Sequence, residues 1–123
     1  MIVTIGSGPK VFSSGFNLKF WTAKPDTNIS LSLTLYHDLL RRILTLGFPT
    51  VCVINGHAIA GGVFLALAHD HTIMISNPKF NMFLNELESG FVVPFGLIRF
   101  IREKTTTQVY KKLCLGDKIK STY

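Results

Sequence analysis

Between Ile43 and His69 the chain carries no Asp, Glu, Lys or Arg. Inside that stretch Thr50-Val51-Cys52-Val53-Ile54 runs into Asn55-Gly56-His57-Ala58-Ile59-Ala60-Gly61-Gly62, and then into a run rich in Leu and Ala. A membrane span needs about 20 mainly apolar residues. Here Pro49, Asn55, Gly56, His57 and the glycine pair interrupt the run, so no stable membrane insertion is expected. A strand, a bend and a helix explain the same residues better. Thr50 to Ile54 is too short for a helix and rich in β-branched residues, the pattern of a strand covered on both faces in a parallel sheet. Ala58 to Ala68 reads as a buried helix. A glycine in a helix costs about 1 kcal/mol relative to Ala, so the pair implies a compensating use. One use is packing of strand on helix too close for a side chain. The other is presentation of main-chain N–H groups that lack intrahelical partners, an arrangement that holds an anion or a developing oxyanion.

The remaining elements follow from pattern. Met1 to Ile5 predicts a short buried strand that starts at the first residue, and residues upstream are therefore expected. Gly6-Ser7-Gly8-Pro9 and Ser13-Ser14-Gly15 are turns, and Lys24-Pro25-Asp26-Thr27-Asn28 reads as a polar loop. Ser30 is a candidate N-cap for a helix whose apolar stripe is Leu31, Leu35, Leu39, Ile43 and Leu46, widened by Leu40 and Leu44 and ended by Gly47 and Pro49. Thr72 to Ile75 predicts a strand, and Lys79 to Leu84 an extended segment. Pro94 starts a helix with Leu97, Ile98 and Ile101 on its apolar face, and Thr105 caps a last helix that closes near Gly116. Alternating strands and helices predict an α/β fold with right-handed crossovers. No short-period repeat is legible.

Composition narrows the function. With 123 residues, 47% hydrophobic and 16% charged, the chain suits one ordered domain, residues 1–123. The net charge of +6 suits an anionic partner. Its basic residues are scattered, with only Arg41-Arg42 and Lys111-Lys112 adjacent, and no aromatic-basic alternation marks a nucleic-acid platform. Cys52 and Cys114 lack metal-ligand spacing and read as reduced thiols. His37, His57, His69 and His71 form no His-x-x-x-His pair, and no Ser stands in a nucleophile elbow, so neither a metal nor a Ser–His mechanism is expected. The N-terminus shows no secretory pattern, and Ser121-Thr122-Tyr123 is no peroxisomal tripeptide.

Two turns taken together resemble the enoyl-CoA hydratase/isomerase, or crotonase, superfamily. The first is Phe12-Ser13-Ser14-Gly15-Phe16-Asn17-Leu18-Lys19. The second joins Pro49, Asn55-Gly56, Ala58 and Gly61-Gly62 to Leu65-Ala66-Leu67 and Asp70. The resemblance implies a crotonase-like spiral of ββα units, incomplete at both ends. It also implies a fatty acyl-CoA thioester as partner, with coenzyme A part of the substrate and no separate cofactor. The complete domain would form a homotrimer, in a mitochondrial or peroxisomal setting. By position, the two backbone N–H groups that hold the thioester oxygen in that family fall on Phe16 and Gly61. Ser14, Gly15, Asn17, Leu18, Gly62 and Asn85 would join them in binding substrate. Asn17 stands where the family usually has Asp.

The same resemblance bears on the acid–base group. Hydratases of the family use two glutamates, and at one of those positions this chain has Phe64. The segment Asn77-Pro78-Lys79-Phe80-Asn81-Met82-Phe83-Leu84-Asn85-Glu86 is similar to that of 3,2-enoyl-CoA isomerases, which implies Glu86 as the single acid–base residue, with Glu88 its rival. Surrounded by Phe83, Leu84, Leu87 and Phe91, the Glu86 carboxyl is expected to be desolvated and its pKa raised. One carboxylate suits migration of a double bond from a 3-enoyl to a 2-trans-enoyl thioester. The alternatives are a hydratase or another crotonase-type acyl-CoA enzyme, and an inactive acyl-CoA-binding or oligomer-joining module. Lys19 and Lys24 are candidate contacts for the phosphates of coenzyme A.

Overall fold

A computed structural model describes residues 1–121. In chain order the elements are β1 (Ile2–Ile5), β2 (Val11–Ser13), α1 (Leu18–Ala23), α2 (Pro25–Leu44), β3 (Thr50–Ile54) and β4 (His57–Ile59). Then come α3 (Gly61–Leu67), β5 (His71–Met74), β6 (Met82–Phe83), α4 (Glu86–Ser89), α5 (Phe95–Lys104) and α6 (Thr107–Cys114). The strands build two parallel three-stranded sheets, β1-β3-β5 and β2-β4-β6. Each pair of successive strands therefore contributes one strand to each sheet, and helices follow each pair. This is the expected α/β spiral of ββα units, in three turns. The repeat is invisible in the sequence because its helical parts differ, from the single short α3 to the three helices after β6.

The central strand β3 explains the charge-free stretch. It pairs with β1 through Thr50↔Ile2 to Val53↔Ile5, and with β5 through Val51↔His71 to Ile54↔Met74. Thr50, Cys52 and Ile54 are buried and the alternate Val51 and Val53 half-buried. The chain continues through β4 into α3, where Val63 and Phe64 join Ile54, Ile101 and Leu113 among the largest fully buried side chains. Burying a side chain of this size contributes about 1.5–3 kcal/mol. Burial also pushes the Cys52 thiol up to about 12, which leaves it an unreactive core residue.

Polar side chains tie the turns of the spiral together. Asn55 Nδ2 donates to the carbonyls of Gly6 and Gly8 at 2.9 and 3.1 Å, and its Oδ1 accepts from the Gly6 N–H at 3.0 Å. The Asp70 carboxylate accepts from the Thr50 N–H and hydroxyl at 2.8 and 2.9 Å. His69 is buried, with Nδ1 donating to the Leu65 carbonyl and Nε2 against the Thr4 hydroxyl. Among the described residues no group of His, Cys, Asp and Glu is arranged to hold a metal, and no helix is long and apolar enough to cross a membrane.

Several local expectations are corrected. The strand at β1 is present but exposed, because it is a sheet edge paired on one side only: Ile2, Val3 and Ile5 are 42%, 53% and 59% accessible. The segment read as a polar loop is the first turn of α2, with Pro25 at its start and Asp26 beside the N-terminal N–H groups. Ser30 lies inside that helix and is no cap. Leu31, Leu35 and Leu39 face outward, while Leu40 is buried and Tyr36 and Ile43 pack on the core. The helix ends at Leu44 with Thr45 as cap, before Gly47. α1 lies in a stretch assigned no structure from the sequence. The buried helix begins at Gly61, since His57–Ile59 is strand. Thr106, not Thr105, caps the last helix. Thr122 and Tyr123, in the C-terminal tripeptide, lie outside the described residues.

Candidate active site

The two turns singled out in the sequence meet backbone to backbone. After β2 the chain passes through Ser14 and Gly15, whose φ of 87° favours glycine. A Cβ at Gly15 would stand 2.9 Å from the Gly61 nitrogen, so no other residue fits there. Gly62 is pressed against the first turn as well: a Cβ there would lie 2.5 Å from the Ser13 carbonyl oxygen. Of the two uses foreseen for the glycine pair, Gly62 serves close packing. Ala60, just before Gly61, has φ 53° and ψ −122°. It is the one non-glycine residue with positive φ among those described. Such a conformation costs about 1–3 kcal/mol and persists where surrounding contacts impose it. The Ala60 N–H donates to the Phe83 carbonyl at 3.1 Å and its carbonyl accepts from Val63 at 2.9 Å. Those bonds fix the peptide that carries the Gly61 N–H. Neither the Phe16 nor the Gly61 N–H has an acceptor among the described hydrogen bonds.

A cavity of about 830 Å3, open mouth included, lies beside these turns. Its lining includes Ser14, Phe16 and Leu18 from the first turn and α1, Ala60 and Phe64 from the second, and Asn85 and Glu86 from the start of α4. Gly61 lies outside this lining. It borders a smaller adjoining cleft with Ser13, Gly15, Phe16, Tyr36 and Leu65, so Phe16 is common to both spaces. Gly62 borders neither. Asn17 also stands apart: its side chain caps α1, accepting from the Phe20 N–H at 3.2 Å. Lys19 and Lys24 are exposed and outside the lining.

Glu86 is the only ionisable side chain in the lining of the larger cavity. Its Oε2 is buried without a hydrogen-bond partner. Burial lifts the carboxyl above the usual carboxylate range, and the amides of Glu86 and Asn85 offset this in part. Phe64, at the other side of the bend, is fully buried and lines the same cavity with an apolar ring. Glu88 is exposed on α4. Of the neighbours expected around Glu86, Phe91 lines the cavity, whereas Leu87 is 70% accessible and Phe83 lies under Lys118, 5.5 Å from its ring centre. Glu86 also borders a second apolar cleft, toward Leu84, Ile98 and Leu113.

An aromatic cluster, not legible in the sequence, supports the first turn. Phe16 packs against Trp21 at 4.8 Å between ring centres and edge-on against Tyr36 at 4.8 Å, and Trp21 meets Phe91 at 5.7 Å. Tyr36 is far off in sequence, and its membership depends on how α2 packs.

Comparison with known proteins agrees with this architecture. The family model described as enoyl-CoA hydratase/isomerase matches residues 1–121. The peroxisomal enoyl-CoA delta isomerase 1 of Arabidopsis thaliana is 30% identical over 104 residues, spanning 85% of this chain and 42% of its own length. The mitochondrial enoyl-CoA delta isomerase 1 of Mus musculus is 32% identical over 94 residues, 76% of this chain and 32% of the mouse protein. The chain thus spans between about a third and about half the length of the curated relatives it matches. The crystal structure of human mitochondrial delta3-delta2-enoyl-CoA isomerase superposes with a TM-score of 0.84 at 26% identity, over 96% of this chain and 46% of the human one. That of an enoyl-CoA hydratase from Mycobacterium ulcerans gives 0.86 at 28% identity, over 98% and 52%. With its crotonase-type fold and a family match along the whole described length, the chain belongs to the enoyl-CoA hydratase/isomerase family.

Proposed function

We propose that the chain carries the catalytic core of an enoyl-CoA isomerase, moving the double bond of a 3-enoyl-CoA to the 2-trans position. The observation that carries this reading is a lone carboxylate, Glu86, with one oxygen unpartnered in an apolar cavity beside two converging turns. Glu86 takes a proton from C2 of the thioester. The N–H groups of Phe16 and Gly61 hold the enolate oxygen, and each such donor is worth about 3–4 kcal/mol in comparable sites. The carboxylic acid so formed returns the proton at C4. One group acting first as base and then as acid contributes about 10²–10⁴-fold. A raised pKa suits both halves, because it makes the carboxylate more basic and the acid ready to form near neutral pH.

Hydration of a 2-enoyl thioester needs a second group to position water, and Phe64 leaves none at the bend. Isomerase relatives named as mitochondrial and peroxisomal support the same chemistry and a setting in fatty-acid β-oxidation. Ser14, Leu18 and Asn85 contact the acyl-CoA from the cavity wall, while Gly15 and Gly62 shape the turns and Asn17 holds α1. Trimer formation belongs to the complete domain. The test is to incubate the protein with a 3-enoyl-CoA and follow the absorbance of the conjugated thioester, then with a 2-enoyl-CoA and look for a hydrated product. Conversion of the first alone supports the isomerase. Hydration of the second points to a hydratase, and no conversion of either, with retained binding, to an acyl-CoA-binding module.

A further inference from the structure

Tyr36 lies on α2, and it touches both residues to which the oxyanion contacts are assigned. Its hydroxyl donates to the Gly61 carbonyl. Its ring packs edge-on against the Phe16 ring, with centres 4.8 Å apart and planes at 72°. It borders the cleft shared by Ser13, Gly15, Phe16, Gly61 and Leu65. Gly61 lacks the side chain that would restrict its backbone, so the direction of its N–H depends on what holds the peptides on either side. On one side the Ala60 carbonyl, in the same peptide as the Gly61 N–H, accepts from the Val63 N–H at 2.9 Å. On the other stands Tyr36.

We propose that Tyr36 is a positioning residue: through the Gly61 carbonyl and the Phe16 ring it sets the mutual alignment of the two N–H groups that grip the thioester oxygen. This rests on the isomerase reading of the site. Burial raises the Tyr36 pKa, with the Glu86 charge adding to the rise and the Leu65 amide opposing it, so the hydroxyl stays a donor over the working pH range. Oxyanion donors act through alignment at the place where charge develops, so a small misdirection lowers the rate more than it lowers substrate affinity.

The probe is hexanoyl-CoA carrying 13C at the thioester carbonyl, observed by infrared difference spectroscopy on the unaltered protein and on Tyr36→Phe. Polarisation by two aligned N–H groups lowers the carbonyl stretching frequency. The expected result is a clear downshift in the unaltered protein that shrinks by about half in Tyr36→Phe, the share of one of two donors. With 3-enoyl-CoA as substrate, kcat falls about ten-fold while KM changes little. Unfolded molecules bind no ligand and add no shifted band, so the frequency reports on folded protein alone. A downshift of full size in Tyr36→Phe overturns the positioning role and leaves the site reading intact. Absence of any downshift in the unaltered protein overturns the site reading and this role with it.

Discussion

The bend from Asn55 to Gly62 and the wall from Glu86 to Phe95 border one cavity and are built in opposite ways. No residue of the bend is exposed, its glycine pair is in backbone contact with the first turn, and Asn55 anchors it through three hydrogen bonds. In the wall, Phe91 and Val92, which line the cavity, are 43% and 91% accessible, and Leu87 and Phe95, outside its lining, are 70% and 80% accessible. Main-chain donors need fixed direction and no reorganisation, which dense packing supplies. A carboxylate that must take up and release a proton needs an apolar neighbourhood more than a rigid one, and Glu86 sits where the wall leaves the core. On the proposed reading, the difference teaches that the electrostatic half of the site is set by the fold, while the acid–base half depends on how well exposed apolar residues keep water away.

The comparison can be broken first at the bend. Gly62→Ala gains about 1 kcal/mol of helix propensity. It also drives a Cβ to 2.5 Å from the Ser13 carbonyl oxygen and 2.8 Å from the Ser13 Cβ, against backbone that cannot swing aside. Overpacking of this kind costs about 2–3 kcal/mol and wins. Denaturant unfolding is expected to show a net loss of about 1–2 kcal/mol, with the midpoint displaced accordingly.

The wall is sharpened by pH. If Glu86 is the base, as proposed, it acts only when ionised; burial raises its pKa, so kcat/KM is expected to fall as pH is lowered through a value above the ordinary glutamate range. Phe91→Ala admits water to the carboxyl and weakens the desolvation that lifts it. The acid limb of the rate profile is then expected to move toward lower pH, with little change in folding. An unmoved limb would mean that Phe91 does not shield Glu86.

The smallest effect contrasts a glycine of the wall side with those of the bend. Gly96 lies in the first turn of α5, and nothing stands within 4 Å of a Cβ placed there. Gly96→Ala is expected to stabilise the protein by about 0.5 kcal/mol, read as a slightly higher melting temperature. The same substitution thus has opposite sign at Gly62 and at Gly96.

Which parts of this were legible follows the same division. The bend was readable because its residues are local: a β-branched strand, an Asn-Gly, a glycine pair and an apolar helix stand in one stretch. The roles given to Glu86 and to Phe64 rest on the family resemblance, since no local pattern marks either residue. The start of α2 was not, because Pro, Asp, Thr and Asn serve turns and helix N-termini equally well. What decides between them is Asn28, buried with its amide donating to the Phe20 carbonyl at 2.6 Å. The apolar stripe of α2 is broader than its buried part: Leu40 and Ile43 face the core, while Leu31, Leu35 and Leu39 have the right spacing yet face outward, and only the packing of α2 tells which edge of the stripe is inward. The contact of Tyr36 with Gly61 spans 25 positions, and no periodicity encodes it.

The central claim is tested most directly with a 3-enoyl-CoA deuterated at C2, given to the unaltered protein and to Glu86→Gln. If one carboxyl moves the proton between C2 and C4, the unaltered protein yields a 2-trans-enoyl product of unchanged hydration state with part of the label at C4. The Glu86→Gln rate is then lower by at least about 10²-fold. Turnover undiminished in Glu86→Gln, or a product heavier by one water, would contradict it.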